Sequence, residues 1–356
     1  MANKIIEFLE NSLKPKILIV QPSRMGDIIF ALPAVVEIKK KYPHSHISWI
    51  ADERCAEILS GNSIIDNLIV FDRTKITLSY LKQMYKNLRD QKFDLSIDFH
   101  GLFKSAFIVK MAGAKYKLAS SSTNGMREFS WLFSKEIKPW TKDTHCIERH
   151  LAVAKYLGCE FDINNLDFNL QIDEKYILEI KAILKKEKID LDEKLVLVHP
   201  GGGWISRRWS SLKFAQTIDL INELFKVNVI LIGGKEGGAS EKGLDEEIIS
   251  LSKTKKIVNL TGKLTLKQLM ALFKFTNLFL ANEAGPMHIA TALKVPSIAI
   301  LGPTDANRTG PFKGNTVIIQ KKVACQPCRN RNCTNLICMK LVTVDEVFYE
   351  VCNKLK

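Results

Sequence analysis

Leu278-Phe-Leu-Ala-Asn-Glu-Ala-Gly-Pro-Met-His-Ile-Ala-Thr-Ala-Leu-Lys-Val-Pro-Ser-Ile-Ala-Ile-Leu-Gly302 reads as a strand, a turn, a short helix and a second strand. The apolar run Leu278–Ala281 stops at Asn282. Gly285 and Pro286 suit the cap and first position of a helix, and Val295–Leu301 is a second buried run. This is one βαβ unit. In an open parallel sheet, ligands bind beyond the carboxyl ends of the strands, where a helix N-terminus offers N–H groups and a partial positive charge. Glu283–His288 is therefore placed to hold an anion, although an ordinary βα turn has the same pattern.

The same alternation extends backward through strands expected at Lys194–His199, Val227–Ile232 and Ile257–Leu260. The first of these empties into His199-Pro-Gly-Gly-Gly-Trp-Ile-Ser-Arg-Arg-Trp209. Three glycines let backbone approach a ligand, and Arg207 and Arg208 carry donors whose geometry matches phosphate oxygens. Gly233–Gly238 ends the next strand similarly. No Walker sequence is present, and no Gly-x-Gly-x-x-Gly follows a first strand, which speaks against a P-loop ATPase or a dehydrogenase.

The first half repeats the plan. Ile5, Ile6, Leu9 and Leu13 predict an amphipathic N-terminal helix that packs on the domain. Strands are expected at Lys16–Gln21, His46–Ala51, Asn67–Phe71 and Phe93–Phe99, which makes this half a doubly wound α/β domain. Pro22–Asp27 opens the helix Ile28–Lys40 and sets Asp27 at the mouth of the first strand, either as a helix cap or as a functional carboxylate beside Gly26. Asp98–Ser105 ends the fourth strand, and by the same topology His100 and Lys104 face the crevice, with a structural role for the histidine equally open. From Ala112 to Asp143 the pattern weakens. The helix His145–Leu157 ends at Gly158 as its cap, and Phe168–Ile172 reads as a short strand leading out. The boundary falls in Asp162–Asp192, giving domains 1–172 and 173–342 and a last helix at 343–356.

At 356 residues the chain exceeds what one core usually supports, and 46% apolar with 25% charged residues is ordinary for a folded soluble protein. No run reaches a membrane span, and the first residues lack a signal peptide's layout, so a cytoplasmic location is expected. The formal charge of +14 suits a polyanion such as nucleic acid, an anionic membrane face or a phosphorylated glycolipid; a merely basic surface explains it equally. Lys104, Lys110, Lys115, Lys117, Arg127, Lys135, Lys138 and Lys142 mark where such a partner would sit. Basic residues without interleaved aromatics argue against nucleic acid.

Taken in order, five motifs resemble glycosyltransferase family 9, the heptosyltransferases of the lipopolysaccharide inner core. They are Ile17–Val20 with Arg24-Met25-Gly26-Asp27-Ile28, Asp98 with Gly101-Leu102-Phe103-Lys104-Ser105, His199-Pro200-Gly201 with Arg207-Arg208-Trp209, Asn282 to His288, and Leu301-Gly302-Pro303-Thr304-Asp305. The resemblance implies a GT-B fold of two facing Rossmann-like domains with a cleft between them, the first binding acceptor and the second nucleotide-sugar. It implies inverting heptose transfer from ADP-heptose to lipid A–Kdo or a heptosylated core, with no cofactor required. Asp27 would be the general base, with Arg24, Gly26, His100 and Lys104 on the acceptor. Arg207 would hold the diphosphate with Arg208 as its neighbour, and Ala284, Gly285, Pro286, Met287 and His288 would cradle it. Glu236 would lie near the ribose, and Glu283 would touch the donor. The last helix would cross back to the first domain, and a glycolipid acceptor implies peripheral contact with the cytoplasmic face of the inner membrane. Two departures stand out: Glu283-Ala284-Gly285 where the family usually has Asp, Ser or Thr, Gly, and Arg207 where Lys is common.

Cys325, Cys328, Cys333 and Cys338 lie in one loop. Four close cysteines in a chain without an export signal are either reduced thiols or ligands of a structural zinc, less readily of an iron–sulfur cluster. Two readings compete with heptose transfer: another GT-B transferase or nucleotide-sugar epimerase, and a non-catalytic binder of polyanions or glycolipids.

Overall fold

The computed structural model describes residues 1–120, 128, 130–138, 144–234, 243–328 and 330–356. The chain divides into two units, Met1–Gln171 and Ile172–Lys356. The first is built on a parallel sheet of β1 (Lys16–Gln21), β2 (His46–Asp52), β3 (Asn67–Phe71), β4 (Leu95–Asp98), β5 (Tyr116–Ser120) and β6 (Lys135–Ile137), in the order β3-β2-β1-β4-β5-β6. The second repeats it with β7 (Lys194–His199), β8 (Val227–Leu231), β9 (Ile257–Asn259), β10 (Leu278–Asn282), β11 (Ser297–Leu301) and β12 (Thr316–Gln320), in the order β12-β11-β10-β7-β8-β9. Read from the other edge, this is the same winding. Each unit reverses direction once, between β1 and β4 and between β7 and β10, and ligands of doubly wound sheets bind beyond such a reversal.

The central strands are apolar without alternation because helices cover both sheet faces: Ile17–Val20 and Leu195–Val198 are all buried. The N-terminal helix Ala2–Asn11 does pack on its unit, burying Ile5 and Leu9 with Phe8 edge-on to Tyr116 at 5.7 Å. Leu13 lies past its end and is 95% exposed. The short strands β5, β6 and β12 escape sequence reading, for Lys117, Lys135 and the half-exposed positions of β12 interrupt their apolar pattern.

Phe168–Ile172 is irregular rather than a strand. Asn169 adopts a left-handed conformation (φ 45°), and its side chain donates to Asn62 Oδ1 at 3.0 Å and Ser63 Oγ at 3.2 Å, so side chains rather than a β ladder tie this segment down. The last helix, Val344–Leu355, is built into the second unit. Its apolar face of Val347, Val351 and Leu355 is built into the core of the second unit with Ile221, Val229 and Leu280. Burial on its own unit fixes this helix. Among the described residues, no helix is long and apolar enough to cross a membrane.

Candidate active site

In the first unit the sequence Pro22-Ser23-Arg24 carries β1 into the helix Met25–Lys41. Arg24 takes the cap position and Asp27 falls in the first turn, so Asp27 is not the cap. Its Oδ2 accepts from Ser23 Oγ at 2.5 Å, and its carbonyl accepts from Gln21 Nε2 at 3.2 Å. Asp27 as a residue keeps part of its surface, yet its carboxyl group is enclosed: desolvation raises its pKa above the ordinary value. The Ser23 hydroxyl, the Arg24 backbone and the charges of Arg24 and Lys104 oppose that rise without cancelling it. A raised pKa makes Asp27 a stronger base than a solvated aspartate.

Across the sheet reversal, Asp98 is fully buried and organises the loop after β4. Its Oδ1 accepts from the amides of His100 and Gly101, each at 2.9 Å, and its Oδ2 from Ser105 Oγ at 2.9 Å. Burial pushes the Asp98 carboxyl up to about 6 despite those three donors. Gly101 is left-handed (φ 66°), which a side chain would strain. The turn it allows delivers Lys104, whose Nζ donates to Pro22 O at 3.3 Å and whose charge is felt by Asp27. His100 thus contributes its amide to the loop's geometry.

Two arginines that sequence reading passed over join this edge from β2 and β3. Arg73 donates to Pro22 O at 2.6 Å and pairs with Asp52, which also holds Arg54 at 2.8 Å. Burial pushes the Asp52 carboxyl up, but the two guanidiniums outweigh it and hold it below the ordinary value. Burial and Arg73 lower the pKa of Lys104, while Asp52 and Asp27 pull the other way. Arg24 and Lys104 thus bring positive charge to Asp27, while Arg54 and Arg73, paired with Asp52, lie near Lys104, an arrangement suited to an anionic molecule bearing the hydroxyl to be deprotonated. No motif announces Arg54 or Arg73; only their position at adjacent strand ends does.

In the second unit, Asn282 at the end of β10 ties two loops together: its Nδ2 donates to Pro200 O at 2.7 Å, and its Oδ1 accepts from Trp209 N at 3.2 Å. The next residue, Glu283, is 3% exposed and pairs with Arg207 at 3.4 Å. Thr304 Oγ1 donates to its second oxygen. Burial raises the Glu283 pKa; the Arg207 charge and the hydroxyls of Thr304 and Thr309 oppose it. Arg207 also lies over the Trp204 ring, 3.9 Å from its centroid, and Arg331 approaches the same ring at 4.8 Å. Arg208 is used differently: its guanidinium donates twice to Gly202 O, at 3.0 and 2.9 Å, clamping the glycine loop.

The helix Gly285–Ala292 begins after Ala284, with Pro286 in its first turn. Met287 is wholly buried and its amide donates to Ala284 O at 3.1 Å, so its side chain belongs to the core; His288 is also buried. Pro286 has no N–H, which narrows what this turn offers an anion to the amide of Gly285 and the helix dipole. Glu236 lies outside the described residues.

The four cysteines lie in different surroundings. Cys325 is exposed, and Cys338 is buried among Trp209, Met339 and Val342 in the hydrophobic core. Among the described residues no three Cys, His, Asp or Glu side chains gather as metal ligands, so the expected structural zinc is not supported. The loop acts as a buttress. Cys328 N donates to Pro303 O at 2.8 Å, and Gln326 and Gln320 donate to Gly302 O at 2.6 and 2.9 Å. This fixes the turn from which Thr304 reaches Glu283. A Cβ on Gly302 would stand 2.5 Å from Met339 Sδ and 3.0 Å from Ser206 O, so only glycine lets that turn sit against the Arg207 loop.

The family model of glycosyltransferase family 9 (heptosyltransferase) matches residues 81–338. Lipooligosaccharide heptosyltransferase 2 of Campylobacter jejuni subsp. jejuni serotype O:2 is 27% identical over 351 residues, 96% of this chain and 98% of that protein. The solved structure of a family 9 glycosyl transferase from Veillonella parvula DSM 2008 superposes with a TM-score of 0.80 at 22% identity, over 96% of this chain and 97% of its own. That of the E. coli ADP-heptose lps heptosyltransferase II superposes at 0.74 and 20% identity, over 96% and 98%. The likeness of fold identifies the two parallel α/β units as the GT-B architecture. The family model covers well over half of the sequence, and the chain belongs to glycosyltransferase family 9.

Proposed function

We propose that this glycosyltransferase moves a heptose from ADP-heptose to a lipopolysaccharide inner-core acceptor, with inversion at the anomeric carbon. The family and its curated relatives support the sugar and acceptor class. The observation that carries the mechanism is the desolvated carboxyl of Asp27 at the first unit's sheet reversal, hydrogen-bonded to Ser23 and acted on by the charges of Arg24 and Lys104. The first unit takes the acceptor: Arg24, Arg54, Arg73 and Lys104 face its carboxylates or phosphates, and Asp27 accepts the proton of the attacking hydroxyl. The second unit takes the donor. As the new glycosidic bond forms, the bond from the anomeric carbon to the diphosphate breaks, and its electron pair leaves on ADP. Arg207, the Gly285 amide and the helix dipole meet that charge, with Arg331 beside them. Glu283 orients Arg207. These cations make a divalent ion unnecessary. An acceptor that is a glycolipid requires the enzyme to work at the cytoplasmic face of the inner membrane.

Protein treated with EDTA and given ADP-heptose with Kdo-bearing lipid A is expected to release ADP in proportion to heptosylated product. A folded protein that leaves this donor intact would sink the heptose assignment. The pH profile tests the base. Ser23→Ala removes a hydrogen bond that favours ionised Asp27, so its pKa rises and the acid limb of kcat/KM moves to higher pH. An unmoved limb would show that Asp27 does not set the profile.

A further inference from the structure

The helix Phe103–Ala112 departs from the usual surface pattern. It buries Ser105, Ala106, Ile108, Val109, Met111 and Ala112, and the stripe it leaves outside is Phe103, Phe107 and Lys110, at i, i+4 and i+7. The two rings stack with centroids 6.5 Å apart and are 50% and 40% exposed. A helix apolar on nearly every side is normally covered. The 3₁₀ turn Ser130–Leu132 packs against this helix and adds Trp131 and Leu132, 56% and 59% exposed. Ser130 Oγ donates to Gly101 O at 3.1 Å, which fixes the turn to the loop that delivers Lys104 toward Asp27.

The charge around the patch says what covers it. Lys110 lies over the Phe133 ring at 5.0 Å, and Lys138 is exposed just beyond β6. The nearby carboxylate of Glu128 is engaged by the Phe103 amide at 3.1 Å. The helix itself carries Lys104 and Lys110 and no carboxylate, so the charge it adds beside the patch is positive. Exposed aromatics with lysines at their margin fit the boundary of an anionic bilayer, where rings enter the headgroup zone and ammonium groups meet phosphates. A second copy on the same patch would set two basic rims against each other.

We propose that Phe103, Phe107, Trp131 and Leu132, with Lys110 at their margin, form the surface by which the enzyme docks on an anionic membrane. The proposal rests on the acceptor being a glycolipid, which this surface would present to the neighbouring Asp27 edge.

The test is co-sedimentation of the full chain with phosphatidylglycerol–phosphatidylethanolamine vesicles, in the absence of donor and acceptor. Wild type is expected to bind, and Phe107→Ser/Trp131→Ser to bind at least tenfold more weakly with an unchanged circular dichroism spectrum. Lys110→Glu weakens binding, added salt weakens it in wild type, and pure phosphatidylcholine vesicles bind poorly. ADP release with a deacylated, water-soluble acceptor should be the same in wild type and the double variant. Wild type that ignores anionic vesicles, a double variant that binds as well as wild type, or a wild-type dimer that the double variant abolishes would overturn the surface. Vesicle binding without sugar transfer would count against the proposed function and leave this surface standing.

Discussion

Asp27→Asn is expected to lower kcat/KM for sugar transfer by roughly 10²–10⁴-fold, the range for loss of a positioned general base. Asparagine keeps the shape and can still meet Ser23, so the loss isolates proton acceptance from packing. A second outcome accompanies it. Because folding raises the Asp27 pKa, the ionised carboxylate is less favourable in the folded chain than in the unfolded one. Relative to Asn, wild type loses stability as pH rises through the folded pKa, and the two proteins match below the unfolded value. At neutral pH Asp27→Asn should therefore melt at a higher temperature while transferring sugar poorly. Calorimetry and initial rates on the same preparation check both; a variant that retains wild-type kcat/KM would remove Asp27 from the mechanism.

Arg207→Ala should cost roughly 10²–10³-fold in kcat, as does removal of one donor from a site where negative charge develops. The substitution also strands Glu283, 3% exposed, without its cation, so a fall in activity could reflect a disturbed loop. Two further variants separate the causes. Arg207→Lys keeps a charge where the family often has lysine and should retain most activity. Arg207→Ala/Glu283→Gln removes the stranded carboxylate, and should recover thermal stability without recovering kcat. Recovery of both would make Arg207 a support for Glu283 rather than a partner of the leaving group. Arg331→Ala, on the same tryptophan, should lose less, since Arg331 makes no carboxylate pair among the described residues and is held only at the ring.

Much of this protein was legible because parallel strands buried on both faces are runs of Ile, Leu and Val that no other element imitates closely. Lys16–Gln21 and Lys194–His199 begin and end where their apolar runs do. The strand ends that hold Asp27, Arg207 and Glu283 follow from the same pattern, because a doubly wound sheet gathers its loops on one edge. Where burial was partial the signal failed: β12 is half-exposed along its length, and Phe168–Ile172 is apolar enough to suggest a strand that side-chain hydrogen bonds replace.

The sequence by itself determined the α/β plan, the order of the motifs and which residues stand at the strand ends, because backbone pattern and turn chemistry are local. Tertiary structure alone decided the partners. That Arg73 joins Asp52, that Arg207 meets Glu283, and that the cysteine loop braces Gly302 are contacts between segments distant in the chain. Spacing along the chain carries no record of which side chain finds which across a sheet edge. Burial then sets the charge behaviour: the same carboxyl group is raised at Asp27 and lowered at Asp52 by what folding places around it.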